Sequence, residues 1–125
     1  MSELTGMVAI VTGSSSGIGE RVAQRLSELG AKVVVNSASS VEAGQKVADA
    51  LPGESMYVQA DISDKAQCEN LVAQTVKKFG GVDLLVNNAG WTTLVPHGDL
   101  DSLTEEIFRK TFDVNVFGTW NLTMA

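Results

Sequence analysis

The chain has 125 residues, 44% of them hydrophobic and 19% charged, which suits one globular domain with its own core rather than a disordered chain. Its formal net charge is -6 and its basic residues are scattered, which argues against a nucleic-acid partner. The apolar run over residues 7–11 is too short for a signal sequence or a membrane span.

Short β-branched runs alternate with longer helical patterns along the chain. Strands are predicted over residues 7–12, 31–36, 55–60 and 82–87. Helices are predicted over residues 17–29, 41–51 and 64–79, and from residue 104 to the end. This alternation predicts the α/β class, with a doubly wound, Rossmann-like parallel sheet in the middle of three layers.

The helical patterns also predict which side chains face the core. In the first helix the large apolar residues recur at helical spacing on one face, namely Ile18, Val22, Leu26 and Leu29. The second helix is expected to point Ala43, Val47, Ala50 and Leu51 inward. Cys68, the single cysteine, lies in the third helical pattern, which favours a small buried side chain over a reactive thiol and fits a cytoplasmic location.

A glycine- and serine-rich segment, TGSSSGIG, joins the first strand to the first helix at residues 12–19. Glycines allow a tight turn, a close approach of backbone N–H groups to an anion, and tight packing of the helix on the sheet. The helix N-terminus adds free N–H groups and partial positive charge. The segment therefore predicts a phosphate-binding loop made by Gly13, Ser14, Ser15, Ser16, Gly17, Ile18 and Gly19, the alternative being a turn that binds nothing.

Three further motifs follow in order: ADI at residues 60–62, NNAG at 87–90 and DVNVFGT at 113–119. Together with TGSSSGIG they resemble the short-chain dehydrogenase/reductase family, in particular its 3-oxoacyl-carrier-protein-reductase-like members. The resemblance runs from about residue 6 to the end and covers only the N-terminal half of that family's pattern. It implies that residues 1–125 form a NAD(P)-binding domain, ending after the fourth strand and its following helix, without the catalytic half.

The resemblance gives these motifs expected roles. Asp61 is expected to accept a hydrogen bond from the adenine amino group, with Ile62 bordering the ring; capping the next helix is the alternative for Asp61. The backbone of Asn88, Ala89 and Gly90 is expected close to the ribose. Trp91 and Thr92 follow this motif, and their position places them beside the nicotinamide or the substrate. Asn87 is expected to tie neighbouring strands together.

Asn115 is the one catalytic residue that the resemblance implies. It is expected at a helix irregularity, where it supports a water in the proton relay, and a satisfied buried amide is the alternative. The resemblance also implies a homo-oligomer through the last helix, which is apolar nearly all round.

The end of the second strand predicts the choice of cofactor. The segment Asn36, Ser37, Ala38 and Ser39 carries no acid, and Ser37 stands where an NAD-selective relative has aspartate. This favours NADP, although Ser16 stands where many NADP-using relatives have a basic residue. NAD or dual use is the alternative.

The resemblance implies an oxidoreductase that transfers hydride between nicotinamide and a carbonyl or alcohol substrate. The family's acid/base is a Tyr-x-x-x-Lys pair, but the single tyrosine here, Tyr57, is followed four residues later by Asp61. Tyr57 is therefore expected to be a packing residue, and His97 a solvated loop residue. No metal site or membrane partner is predicted, and a catalytically silent nucleotide-binding fragment or an interaction protein is the alternative.

Overall fold

A parallel sheet forms the centre of the molecule, in a computed structural model that describes residues 3–95 and 97–125. In this part of the chain the strands are β1 (Val8–Val11), β2 (Lys32–Ser37), β3 (Ser55–Gln59) and β4 (Leu84–Val86). Their order across the sheet is β3-β2-β1-β4, and every pairing is parallel. The chain thus leaves β1 in one direction to build β2 and β3, and then crosses back to place β4 on the other side of β1.

Helices follow each strand. They are α1 (Gly17–Glu28), α2 (Val41–Ala50), α3 (Lys65–Phe79), α4 (Glu105–Phe112) and α5 (Thr119–Met124). A one-turn 3-10 helix, Leu100–Ser102, precedes α4, and a π-helical segment, Asp113–Gly118, joins α4 to α5. Among residues 3–95 and 97–125, no helix combines the length and the apolar character that crossing a membrane requires.

The sheet is covered on both faces, because successive strand residues point to opposite sides. Val33 and Val35 pack with residues of α1 and α2 on one side, whereas Val34 packs with Leu71 of α3 and Leu122 of α5 on the other. The predicted three-layer, Rossmann-like α/β architecture is confirmed.

The buried face of α1 differs from the prediction. Gly19, Ala23 and Ser27 face the sheet, whereas Ile18 is 75% exposed and Val22 and Leu26 are only half-buried. These small residues recur every four positions, which lets the helix lie very close to the strands. Large side chains on the same face would hold the helix away from the sheet.

The second helix shows the same effect. Val47 and Leu51 are buried as predicted, but Ala43 and Ala50 are exposed, and Gly44 and Ala48 are buried in their place. A Cβ atom on Gly44 would lie only 2.2 Å from Cε1 of Tyr57, so α2 rests directly on the tyrosine ring. The last helix, predicted as one rod from residue 104, is interrupted by the π segment, which contains Asn115.

Candidate functional site

A cleft of about 750 Å³ opens at the carboxyl ends of the strands. The loops after β1, β2, β3 and β4 form its walls, and Lys110 of α4 and Val114 of the π segment close one side. In open α/β sheets ligands bind at this edge, where the strand order changes direction. Here that point lies between β1 and β4.

Most residues that the sequence assigned to cofactor binding line this cleft. From the glycine loop and the second strand they are Gly13, Ser15, Ser16, Ile18, Asn36, Ser37, Ala38 and Ser39. From the later motifs they are Asp61, Ile62, Asn88, Ala89 and Gly90. The lining also includes residues that sequence reasoning did not assign, or assigned only by position, namely Ser40, Ala60, Trp91, Lys110 and Val114.

Four residues that the sequence assigned to cofactor binding or catalysis do not line the cleft, and they lie next to its lining. Ser14 and Gly19 are buried members of the glycine loop, and Gly17, with φ +59°, forms the turn into α1. Asn115 lies in the π segment behind Trp91.

Asn36 is a buried amide that joins three strand ends. Its side-chain Nδ2 donates to the carbonyls of Val58 at 3.0 Å and Ala60 at 3.3 Å, and its Oδ1 accepts from the N–H of Gly13 at 3.4 Å. The residue is only 1% exposed, so these bonds are shielded from water. Asn36 therefore fixes the first loop against β3, which is a positioning role that the sequence did not indicate.

Ser14 and Asn36 hold the first two loops together. The N–H of Ser14 donates to the Asn36 carbonyl at 2.8 Å, and the N–H of Asn36 donates to Ser14 Oγ at 3.0 Å. Ser14 Oγ in turn donates to the carbonyl of Val11 at 2.7 Å. Its hydroxyl is therefore used inside the protein rather than turned toward a ligand.

Thr12 anchors the NNAG segment to the glycine loop. Its buried Oγ1 accepts from the N–H groups of Asn88 at 3.0 Å and Ala89 at 2.9 Å. The side chain of Asn88 donates to the carbonyl of Gly13 at 3.1 Å, whereas Asn87 donates to Thr123 of α5 at 3.3 Å. Asn88, and not Asn87 as expected, ties the neighbouring strands together.

Two glycines permit this close packing of loops. Gly13 has φ +62°, and a Cβ atom on it would lie 2.9 Å from Cα of Ala89. A Cβ atom on Gly19 would lie 2.4 Å from the Gly13 carbonyl oxygen. The backbone segments are therefore in direct contact at the floor of the cleft, and there is no space for a side chain larger than that of glycine.

The helix N-termini at the cleft differ from those of α3 and α4. The N-caps of α1 and α2, Ser16 and Ser40, line the cleft and make no side-chain cap hydrogen bond. By contrast, the side chains of Asp64 and Thr104 cap α3 and α4. Uncapped N–H groups and the positive end of the helix dipole favour an anion in the cleft.

Asp61 forms a tight turn at the end of β3. Its Oδ1 accepts from the N–H of Ser63 at 3.0 Å and from Ser63 Oγ at 2.6 Å, and Asp64, rather than Asp61, caps α3. A carboxylate has acceptor sites on both oxygens. Asp61 can therefore hold this turn and still accept from a ligand that donates, such as an adenine amino group.

The π segment fixes the loop after NNAG. The amide of Asn115 accepts from the N–H of Trp91 at 2.7 Å and donates to the Trp91 carbonyl at 2.9 Å. The ammonium of Lys110 lies 4.4 Å from the centre of the Trp91 ring, which is cation–π distance. Asn115 is exposed, so the alternative of a buried amide fails, although both of its amide atoms are satisfied.

Cys68 lies beneath the β3 side of the cleft. Its thiol is fully buried and donates to the carbonyl of Ile62 at 3.2 Å. Burial raises the pKa of this thiol, and the carboxylates of Asp64, Asp61 and Glu69 raise it further. The thiol therefore stays protonated and unreactive, in a structural position.

Comparisons with known proteins agree with the fold. The family model described as short chain dehydrogenase matches residues 7–125. A Streptomyces violaceoruber protein that carries the name of a granaticin polyketide synthase ketoacyl reductase is 54% identical over 118 residues, covering 94% of this chain and 47% of that protein. Versicolorin reductase 1 of Aspergillus parasiticus is 42% identical over 118 residues, covering 92% of this chain and 44% of its own.

A solved structure shares the whole fold described above. The crystal structure of a short chain dehydrogenase from Burkholderia cenocepacia, in complex with NADP, aligns with a TM-score of 0.89 at 37% identity. The alignment covers 98% of this chain and 50% of that one. The chain thus spans about half the length of the relatives that it matches.

Proposed function

The chain belongs to the short-chain dehydrogenase family, and on this premise we propose that its cleft binds a nicotinamide dinucleotide, NADP in preference to NAD. The observation that carries the proposal is the junction of Gly13, Asn36 and Asn88, where three strand-end loops are bonded into one floor. This floor leaves the uncapped N-terminus of α1 facing the cleft, which suits a pyrophosphate.

The remaining walls suit the other parts of such a cofactor. Asp61 and Ile62 offer an acceptor and an apolar edge to an adenine ring, and the backbone of Ala89 and Gly90 is open to a ribose. Ser37 to Ser40 offer hydroxyl and backbone donors and no carboxylate, which supports a 2'-phosphate. The Burkholderia relative, crystallised with NADP, supports the same choice.

We propose that the complete enzyme is an oxidoreductase acting on a carbonyl or alcohol substrate, as the names of several reductase relatives suggest. When bound, the nicotinamide supplies or accepts the hydride. Within this chain, Asn115 would support the reaction by holding the Trp91 backbone beside the cleft. Its part in a proton relay stays a prediction.

A second candidate is a binding module without turnover, because the chain holds no second tyrosine besides Tyr57. The Tyr57 hydroxyl is bonded to Ser37 at the β2 end of the cleft. A general acid for a carbonyl must lie within hydrogen-bond reach of the reacting oxygen, directly or through one water. These 125 residues alone are expected to bind the cofactor and to show no reductase activity.

We further propose that the protein assembles as a homo-oligomer through the rod formed by α4, the π segment and α5. This rod exposes a large group of apolar side chains, namely Phe108, Phe112, Val116, Phe117, Trp120 and Met124. An apolar patch of this kind marks a surface that another protein surface covers.

Isothermal titration calorimetry of the chain with NADPH and NADH tests the proposed cofactor. We expect saturable binding of NADPH and weaker binding of NADH. Gly13→Val should abolish measurable binding, because it forces a β-branched residue into a positive φ and against Ala89.

Gly81→Val is the matched control, since Gly81 has open space around it and no positive φ. This variant should bind NADPH like the wild type. A folded wild-type chain that binds neither nucleotide would refute the proposal, and equal affinity for both nucleotides would refute the preference for NADP.

A further inference from the structure

The hydroxyl of Tyr57 lies against the hydroxyl of Ser37, with 2.5 Å between the two oxygens. Ser37 ends β2, is only 5% exposed and lines the cleft at the point where an NAD-selective site would carry an acid. Tyr57 belongs to β3 and reaches Ser37 from beneath. Tyr57 was expected only to pack, so this polar contact needs an explanation.

The ring of Tyr57 is held in a fixed position. Gly44 of α2 lies directly on it, and the strand pairing sets Tyr57 opposite Val35 of β2. Two residues further along β3, the side chain of Gln59 donates to the carbonyl of Ala38. The side chains of β3 thus hold the hydroxyl of Ser37 at the end of β2 and the backbone of Ala38 in the loop that follows.

We propose that Tyr57 is a positioning residue that turns Ser37 into a hydrogen-bond donor for the 2'-phosphate of NADP, and so strengthens selection against NAD. This inference rests on the proposed function. It adds a residue that does not itself line the cleft and that acts through Ser37.

The direction of the hydrogen bond carries the argument. Both hydroxyls can donate or accept, but a phenol is the better donor because its ring delocalises the charge left on oxygen. When Tyr57 donates to Ser37 Oγ, the hydrogen of Ser37 is free to point into the cleft. A hydroxyl that accepts one hydrogen bond also donates a stronger one, so the pair acts as a polarised chain.

The two cofactors use such a donor differently. At neutral pH a phosphate offers mainly acceptor oxygens and negative charge, so it gains fully from an oriented donor. A ribose hydroxyl can donate as well as accept, so it binds Ser37 in either orientation and gains less from the order that Tyr57 imposes. Removing the Tyr57 hydroxyl should therefore weaken the binding of NADPH more than the binding of NADH.

The test uses Tyr57→Phe, which removes the hydroxyl and keeps the ring against Gly44. Calorimetric titration should show NADPH affinity lowered about three- to tenfold, the range for one hydrogen bond between neutral groups, and NADH affinity changed less than about twofold. In a Ser37→Ala background, Tyr57→Phe should have no further effect on NADPH binding, because its intermediary is gone.

Ser55→Ala is the matched control. It removes a different hydroxyl of β3, whose Oγ donates to the carbonyl of Ala48 in α2 at 2.7 Å, away from the cleft. It should leave both affinities unchanged, and circular dichroism melts would show that all variants fold.

Three results overturn the inference while leaving the proposed function intact. Tyr57→Phe could weaken the binding of both nucleotides equally, it could weaken the binding of neither, or its effect on NADPH binding could add fully to that of Ser37→Ala. Each would mean that Tyr57 only packs. If the folded wild type binds neither nucleotide, the proposed function itself fails, and this inference fails with it.

Discussion

Asn36 shows how much of the cleft depends on a single side chain. Its amide bonds to Gly13, Val58 and Ala60, which belong to segments up to 24 residues away in sequence. Each bond satisfies a backbone group that water reaches poorly, and a buried polar group without a partner costs about 1–3 kcal/mol. Asn36 therefore contributes to stability and to the shape of the cleft together.

Asn36→Ala should lower the free energy of unfolding by about 2–4 kcal/mol, because it leaves buried backbone groups without partners. Urea denaturation measures this change. Asn87→Ala is the control, since Asn87 is exposed and makes a single side-chain bond of 3.3 Å to Thr123; it should cost less than about 1 kcal/mol. Equal effects of the two substitutions would contradict the assigned role of Asn36.

Cys68 gives a prediction on pH dependence. Its pKa is raised above the ordinary value of 9.0, mainly by burial, so the folded chain holds the thiol proton more tightly than the unfolded chain does. The resulting stability is present in full below the unfolded pKa and is lost as the pH rises through the folded pKa.

The unfolding free energy, measured in urea, should therefore decrease between about pH 7.5 and about pH 10, and this decrease should be larger for the wild type than for Cys68→Ala. The variant keeps every other ionisable group, so the difference between the two decreases isolates the thiol. Parallel behaviour of the two proteins would show that the thiol does not contribute.

At the scale of elements, the π segment acts as the support of the Trp91 loop. Asn115 clamps both backbone polar groups of Trp91, and Gly118 lets the same segment approach Ile62, whose Cγ1 would lie 2.8 Å from an added Cβ. The π segment thus places the Asn115 amide against the Trp91 backbone.

Asn115→Ala should release the Trp91 loop without unfolding the domain. Hydrogen exchange of the Trp91 amide should accelerate, and NADPH affinity should fall about three- to tenfold, because the loop must then be ordered on binding. Asn121→Ala, on the next turn of the same rod, is the control and should change neither. Unchanged exchange at Trp91 would refute the clamp.

The order and type of elements could be predicted from the sequence, because β-branched runs and helical periodicity are local signals. The buried face of α1 could not. Periodicity selected Ile18, Val22 and Leu26, whereas the distance between helix and sheet, a tertiary quantity, buried Gly19 and Ala23.

The site shows the same division. The glycine motif indicated the cleft, but the bonds of Thr12 to Asn88 and Ala89 span 76 and 77 residues, and no local pattern reports them. Asn87 and Asn88 are identical neighbours, so only the path of the backbone decides which one bonds Gly13 and which one reaches α5.

For the whole molecule, the rod of α4, the π segment and α5 matters because it exposes a large group of apolar side chains. Its apolar side chains include Phe117, 54% exposed, and Trp120, 62% exposed. We expect the chain to self-associate at high concentration, because covering such surface removes apolar area from water.

Light scattering over a concentration series should show a mass above that of the 13.2 kDa monomer. Trp120→Glu should lower the tendency to associate, because it places a charge in the patch. Val41→Glu, at an exposed position on α2 across the sheet, is the control and should associate like the wild type. A monomer at every concentration would contradict the proposed assembly.

The hydrogen bonds of Thr12, Asn36 and Asn88 also bear on the thermodynamics of recognition. They join the loops after β1, β2 and β4 to one another through bonds within the protein itself. In the proposed complex these loops have little conformational entropy left to lose, so more of each new contact is retained as affinity. The floor of the cleft would then act as a preorganised receptor for the proposed cofactor.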